Sequence, residues 1–391
     1  MSVHNICMAR APVYLDCHAT TPVDPRVLEA MLPFFREDFG NAASSTHQWG
    51  WKAQAAVEQA RREVAGLVGA TAREIVFTSG ATESNNLAIR GSAGVAPSGR
   101  RQVVVSAIEH KSVLEVAALL GRQGWQVTLV PVDRDGLVRL EALEAAVSDA
   151  TALVSVIAAN NEIGVIQPLD RIGAIVKARG AVFHVDAAQA VGKVPIDVGT
   201  MQIDLLSITA HKIYGPTGCG ALFVRKRVEL EPLLLGGGHE RGVRAGTLNV
   251  PGIVGLGAAC AIYRAEMADE ARRVGRLRDR LLAGLESAAG GIIVNGSREH
   301  RLANNLHVTF DGVDGESLMV GIGDIAVSSG SACSSASATP SHVLTAIMGS
   351  DPVPSACIRF GLGRFTTEDE VDYAIEKFGA VVRHLRSEVL R

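Results

Sequence analysis

Four side chains in this sequence have the type and placement to do chemistry: Lys212, Asp186, His110 and Cys333. Lys212 follows the apolar run Asp204–Thr209 and precedes a tight Gly215-Pro216 turn with Gly218 and Gly220. Lysine is rarely buried without a partner, and a desolvated amine can lose its proton and form a Schiff base with an aldehyde. The same placement also suits a lysine that snorkels out of a strand end. Asp186 closes the apolar run Phe183-His184-Val185, where an unpaired carboxylate is costly. A pyridinium N–H would stabilise it and make the ring an electron sink; a metal or a salt-bridge partner would serve as well. His110 follows the apolar run Val103–Ser106 and could stack on a planar ring or shuttle protons, or be a satisfied structural histidine. Cys333 sits in Ser328–Ser337, where no bulky side chain intervenes. That segment is expected to be flexible and exposed. A thiol there can act as a nucleophile, or be incidental to a linker.

Two further stretches could hold a ligand. In Phe77–Ser84 an apolar run enters Ser79-Gly80 and then a helical pattern, so free N–H groups and hydroxyls would meet an anion such as phosphate. An ordinary helix cap is the alternative. In Ala159–Gly164, paired amides at a strand end could bind a carboxylate or a ring oxygen, or simply form a turn.

The elements that must position these residues alternate. Strands are predicted at 74–78, 103–106, 127–130, 153–157, 181–185, 205–208 and 221–224, and helices at 81–89, 113–122, 140–147 and 169–178. This is the pattern of βαβ units and a mostly parallel sheet, which binds ligands beyond the carboxyl ends of its strands. One helix is expected over 27–35 and a longer one over 50–68. The Gly-rich stretch 230–250 breaks the pattern and reads as a functional loop or a linker. A long helix at about 253–288 follows, then a smaller α+β region with strands at 306–310, 325–327 and 357–360 and a final helix after Thr367.

Length and composition narrow the function classes. A chain of 391 residues suggests two domains. With 38 basic and 41 acidic residues the net charge is −3, which argues against a nucleic-acid-binding role. No apolar run is long enough to span a membrane, and the N-terminus carries no long apolar region or cleavage signal, so a cytoplasmic protein is expected. The six cysteines are widely spaced, without a C-x-x-C pair or a Cys/His cluster; neither a disulfide framework nor zinc is expected.

Read together, the motifs strongly resemble the cysteine desulfurases of the branch that serves iron–sulfur assembly and nitrogen fixation. The marks are YLD-x-x-ATTP at 14–22, TSGATES at 78–84, EHK at 109–111, NNEIG at 160–164, HVDA-x-Q at 184–189, HKIYGP at 211–216, GGGHERG-x-R-x-GT at 236–247, SSGSAC-x-SAS at 328–337 and RF-x-LGRFTTE at 359–368. The resemblance implies an α/β fold of the aspartate-aminotransferase type, class V: a large domain over 15–258, and a small α+β domain from 1–14 with 259–391. It implies pyridoxal 5'-phosphate as cofactor, L-cysteine as substrate, a homodimer, and a sulfur-accepting protein as partner. Residue by residue, Lys212 would hold the cofactor, Asp186 its ring nitrogen and Gln189 its ring oxygen, with His110 stacked on the ring. Ala81, Thr82, Thr209 and His211 would hold the phosphate, with Thr247 reaching in from the partner subunit. Asn161 and Arg359 would bind the substrate carboxylate, and Cys333 would take the sulfur. Transamination or selenocysteine cleavage on the same fold, and a non-catalytic partner-binding role, are the competing readings. A transaminase needs no loop thiol, and a bare scaffold needs none of these residues. Thr209 stands where relatives often have serine, and the chain ends at Arg391 without the further tail that some relatives carry.

Overall fold

The computed structural model describes residues 12–329 and 340–389. The chain opens with β1 (Val13–Tyr14), α1 (Pro25–Met31) and α2 (Pro33–Arg36). The single helix expected over 27–35 is broken because Pro33 has no N–H to continue the ladder, and the chain restarts with that proline at the first helical position. α3 (Gln48–Val68) ends on Gly69, whose φ of 71° is a left-handed cap.

The alternating pattern then forms as β2 (Ile75–Thr78), α4 (Ala81–Gly94), β3 (Gln102–Ser106), α5 (Lys111–Arg122), β4 (Gln126–Val130), α6 (Leu140–Ala146), β5 (Thr151–Ile157), α7 (Leu169–Ala178), β6 (Val182–Asp186), β7 (Leu205–Thr209) and β8 (Gly220–Val224). These strands make one sheet in the order β2-β8-β7-β6-β5-β3-β4. Strands β3, β5 and β7 are buried throughout, which is why they read as unbroken apolar runs, whereas the edge strand β4 shows side chains to solvent. All strands run parallel except β8, which is antiparallel to both neighbours. The connection from β7 to β8 holds only a short 3-10 turn, too little for a crossover, so the chain must return antiparallel.

α3, α6, α7 and α8 (Val250–Ala289) pack on one large apolar core, while α4 and α5 pack on a separate cluster with Val76, Val103 and Val105 of the sheet. α8 serves two cores. Val250, Ile253, Leu256 and Tyr263 pack on the first, while Val274, Leu277, Leu281 and Leu285, three and four residues apart, pack on a second. The second core is built with β9 (Ile292–Val294), β10 (Asn305–Phe310), α9 (Gly315–Gly321), β11 (Ile325–Ala326), β13 (Cys357–Gly361) and α11 (Glu368–Val389); β12 (Ser328–Ser329) flanks β13, and α10 (His342–Met348) packs back on the first core through Val343, Leu344 and Ile347. β9, β10, β13 and β12 form an antiparallel sheet, and β11 pairs with β1, which brings Val13 and Leu15 into this second core.

Candidate active site

The carboxyl ends of β2, β3, β5, β6 and β7 open into one cleft of about 700 Å³, within the size range of small-molecule sites. Ala81, Thr82, His110, Asn161, Asp186, Gln189, Thr209, His211, Lys212 and Arg359 all line it, so ten of the expected site residues meet there.

Lys212 ends the 3-10 turn Ala210–Lys212 that directly follows β7. Its Nζ donates to the carbonyls of His18 and, at 2.6 Å, Ala19. Those carbonyls belong to the YLD-x-x-ATTP motif, which therefore straps the lysine. Thr21 fastens the strap, its N–H and hydroxyl both donating at 2.9 Å to the His211 carbonyl. Tyr214 closes the turn in the left-handed region at φ 60°, with its N–H donating to Thr21 Oγ1 at 2.9 Å.

Asp186 is buried at the end of β6. Its Oδ1 accepts from the Ala188 N–H at 3.0 Å, and its Oδ2 from Asn85 Nδ2 at 2.8 Å. Asn85 Nδ2 also donates to Ser112 Oγ at 2.8 Å. Ser112 in turn faces His110 Nδ1, by its hydroxyl at 2.8 Å and its N–H at 3.1 Å. Nδ1 is thus the acceptor of His110, and its proton sits on Nε2. Burial lowers the imidazole pKa of His110, opposed by the Asp186 charge. Burial, with Lys212 and Lys193 nearby, brings His211 down to about 4. Both rings are therefore neutral at neutral pH.

At the start of α4, Gly80 adopts φ 149°, which favours glycine. Gly220 at the start of β8 packs so closely that an added Cβ would lie 2.6 Å from Gly80 Cα. The first-turn N–H groups of Ala81 and Thr82 have no acceptor among the described residues, so they can receive an anion. The Glu83 carboxylate accepts from the Ser79 N–H and from Arg244 Nε, each at 2.8 Å. Burial alone would raise the pKa of Glu83, but these partners hold it below the usual range.

Arg359, buried on β13, donates to the Asn161 carbonyl at 2.8 Å and to Asp16 Oδ1 and Ser328 Oγ at 2.7 Å each. Its Nε is buried without a hydrogen-bond partner among the described residues. A planar carboxylate is the group that a guanidinium with spare N–H capacity binds best.

One expected residue does not line this cleft. Thr247 is exposed on the Gly-rich loop, outside the cleft of its own chain. Cys333 lies outside the described residues. Asn85, Ser112, Asp16, His18 and Ser328 were not singled out from sequence, although all but Asn85 line the cleft and Asn85 holds Asp186. The YLD-x-x-ATTP and TSGATES motifs flagged their neighbourhoods without revealing the contacts. Among the described residues no group of three or more His, Cys, Asp or Glu could hold a metal. Cys17 and Cys219 are buried, and burial pushes both thiols up to about 12.

The "Aminotransferase class-V" family matches residues 13–374. The chain is 55% identical over 379 residues to "Cysteine desulfurase IscS" of Anaeromyxobacter sp. (strain K), covering 96% of this chain and 94% of that protein. A solved "NifS-like protein" superposes with a TM-score of 0.89 at 40% identity, over 96% of this chain and all of its own. The structure titled "SspA in complex with cysteine" aligns at 35% identity with a TM-score of 0.77, over 91% of this chain and all of that one. The chain belongs to the class-V aminotransferase family, in its cysteine desulfurase branch. Its fold is that of the type I enzymes, a mostly parallel central sheet flanked by helices.

Proposed function

We propose that the protein is a pyridoxal-phosphate-dependent cysteine desulfurase that acts as a homodimer in the cytoplasm and hands sulfur to an acceptor protein. The observation that carries this reading is the joint placement of Lys212, the buried Asp186 and the open first turn of α4 in one cleft. An amine, a carboxylate without a cationic partner among the described residues and a helix start with open N–H groups are the set this cofactor needs, so the residues present fit it. When bound, pyridoxal phosphate supplies an electron sink for a substrate Cα–H.

The chain's own groups do the rest. Ala81, Thr82, Thr209 and His211 would hold the phosphate, completed by Thr247 of the partner subunit. Asp186, oriented by Asn85, would pair with the ring nitrogen, Gln189 would donate to the ring oxygen and His110 would cover the ring. Arg359 and Asn161 would bind the carboxylate of L-cysteine; Lys212 would hold the cofactor and move the Cα proton. The thiolate of Cys333 attacks the substrate sulfur: an S–S bond forms, the substrate C–S bond breaks, and the carbon takes a proton to become alanine. The products are alanine and a Cys333 persulfide; the relative solved in complex with cysteine supports L-cysteine as the substrate.

The test is incubation of the holoprotein with L-cysteine and a thiol reductant. Equal amounts of alanine and sulfide are expected, and Lys212→Ala abolishes both. Alanine formation by Lys212→Ala at the unaltered rate would refute the assignment.

A further inference from the structure

His18, whose carbonyl straps Lys212, also has a side chain tied into the cleft wall. His18 is buried between the two cores. Its Nδ1 lies 3.0 Å from Gln189 Oε1 and its Nε2 lies 3.2 Å from Asn305 Nδ2. Its carbonyl accepts from Gln189 Nε2 at 2.9 Å and from Lys212 Nζ.

Every orientation in this set is fixed by groups that can play only one part. Arg301, buried and able only to donate, gives a hydrogen bond to Asn305 Oδ1 at 2.7 Å. The other end of that amide, Nδ2, donates to the Glu162 carbonyl at 3.0 Å and so also faces His18 Nε2 as a donor. His18 Nε2 must then be an acceptor. On the far side, Lys193 Nζ donates to Gln189 Oε1 at 3.1 Å, while Gln189 Nε2 faces the His18 carbonyl. Gln189 Oε1 is an acceptor, so His18 Nδ1 must carry the proton.

We propose that His18 is a positioning residue for Lys212 and Gln189, locked as its Nδ1–H tautomer by a relay that Arg301 and Lys193 terminate. The relay runs Arg301–Asn305–His18–Gln189–Lys193 and ties β10 of the second sheet to the cleft wall of the first. It leaves the second N–H of Gln189 Nε2 as the donor available to the cleft, and it aims the His18 carbonyl at the reactive amine. Burial, with Lys193 and Arg359 adding to it, lowers the His18 pKa well below the usual value, so the ring stays neutral as the relay requires. Lys193, brought down to about 7 by burial, donates to an acceptor-only oxygen in either protonation state.

The consequence for the cofactor rests on the function proposed above; the tautomer does not, so the two can fail separately. The holoprotein, labelled with 15N at histidine, is examined by nitrogen–proton correlation, with the His18 signal assigned by its loss in His18→Asn. A neutral ring protonated at Nδ1 is expected. In Asn305→Asp, which turns an acceptor toward Nε2, the proton is expected to appear on Nε2. A ring protonated at Nε2 in the unaltered protein, or no change in the folded variant, would overturn the relay. Lys193→Met and Lys193→Arg supply the second readout. The methionine variant should show a shifted visible band of bound cofactor and severalfold faster loss of cofactor to a trapping agent; the arginine variant should restore both. A methionine variant that matches the unaltered protein in both readings would overturn the positioning role.

Discussion

The Gly-rich loop that carries Thr247 is anchored by the Arg244–Glu83 pair and, deeper, by the buried Arg61–Glu240 pair, and breaking the latter has a calculable cost. Arg61 on α3 meets Glu240 with two parallel bonds, Nη1 to Oε2 at 2.7 Å and Nη2 to Oε1 at 2.8 Å. The two side chains are 5% and 1% exposed. Arg61 also donates to the Ile75 carbonyl at 2.8 Å, and Glu240 Oε2 accepts from the Phe77 N–H at 2.8 Å, so the pair is stitched to β2 as well. Burial alone would lower the Arg61 pKa, but Glu240 outweighs it and holds the guanidinium above its ordinary value. Glu240→Ala leaves the buried guanidinium with the half-exposed Glu58 carboxylate, 3.0 Å from its Nε, as a remaining partner, so the cost falls at the low end for a broken buried pair, about 3 kcal/mol. It also orphans the Phe77 N–H, worth roughly 1–3 kcal/mol more, though the two losses overlap. A net loss near 4 kcal/mol is about a thousandfold in the folding equilibrium. The double variant Arg61→Leu/Glu240→Leu removes both charges and keeps only the backbone penalties, so it should lose roughly 1–3 kcal/mol. Urea unfolding of the single and double variants measures the difference. A single variant that loses under about 1 kcal/mol, or a double variant as damaged as the single, would refute the reasoning.

Other outcomes follow from the buried groups of the site. Glu109 is fully buried, accepts from Ser106 Oγ at 2.5 Å and the Ile157 N–H at 2.6 Å through Oε1, and leaves Oε2 without a partner among the described residues. Burial raises its pKa well above the usual value. Its contribution to stability is therefore present below the unfolded carboxyl value of about 4.3 and is lost as pH rises toward the folded one. Glu109→Gln mimics the protonated acid, so the variant should gain stability relative to the unaltered protein as pH rises from about 5 to 8; a pH-independent difference in unfolding midpoint would contradict this. Cys17→Ala and Cys219→Ala should keep most of the turnover, because thiols pushed up to about 12 are protonated at neutral pH. A loss in either as deep as that of Cys333→Ala would overturn the ranking. Mixing Lys212→Ala subunits with subunits altered at Thr247 should restore activity in heterodimers, read as turnover after verified subunit exchange.

The sequence made some of this site legible and not the rest, for physical reasons. Lys212, Asp186 and His110 could be found because a charged or titratable residue at the end of an apolar strand is locally anomalous. The parallel sheet could be found because each strand and helix has its own period. The reversal of β8 was hidden, since strand direction depends on the connection and not on the strand. The three-residue strand β9, between Gly290-Gly291 and Asn295, is too short to show a period. Asn85 reaches Asp186, Asp16 reaches Arg359 and Asn305 reaches His18 across separations that no local pattern encodes. Pro33, by contrast, was a local stop signal within the helix expected over 27–35. The strap at His18–Thr21 was visible as a motif, but its task of holding Lys212 belongs to tertiary structure alone.

The central claim is that sulfur leaves L-cysteine onto Cys333. One turnover of the holoprotein with L-cysteine, without reductant, followed by mass spectrometry of the Cys333 peptide, tests it most directly. The account predicts one added sulfur on that peptide and alanine in equal amount, with Cys333→Ser retaining the substrate-induced change in cofactor absorbance but releasing no sulfide. A bare thiol at Cys333 beside a persulfide on another cysteine would contradict it.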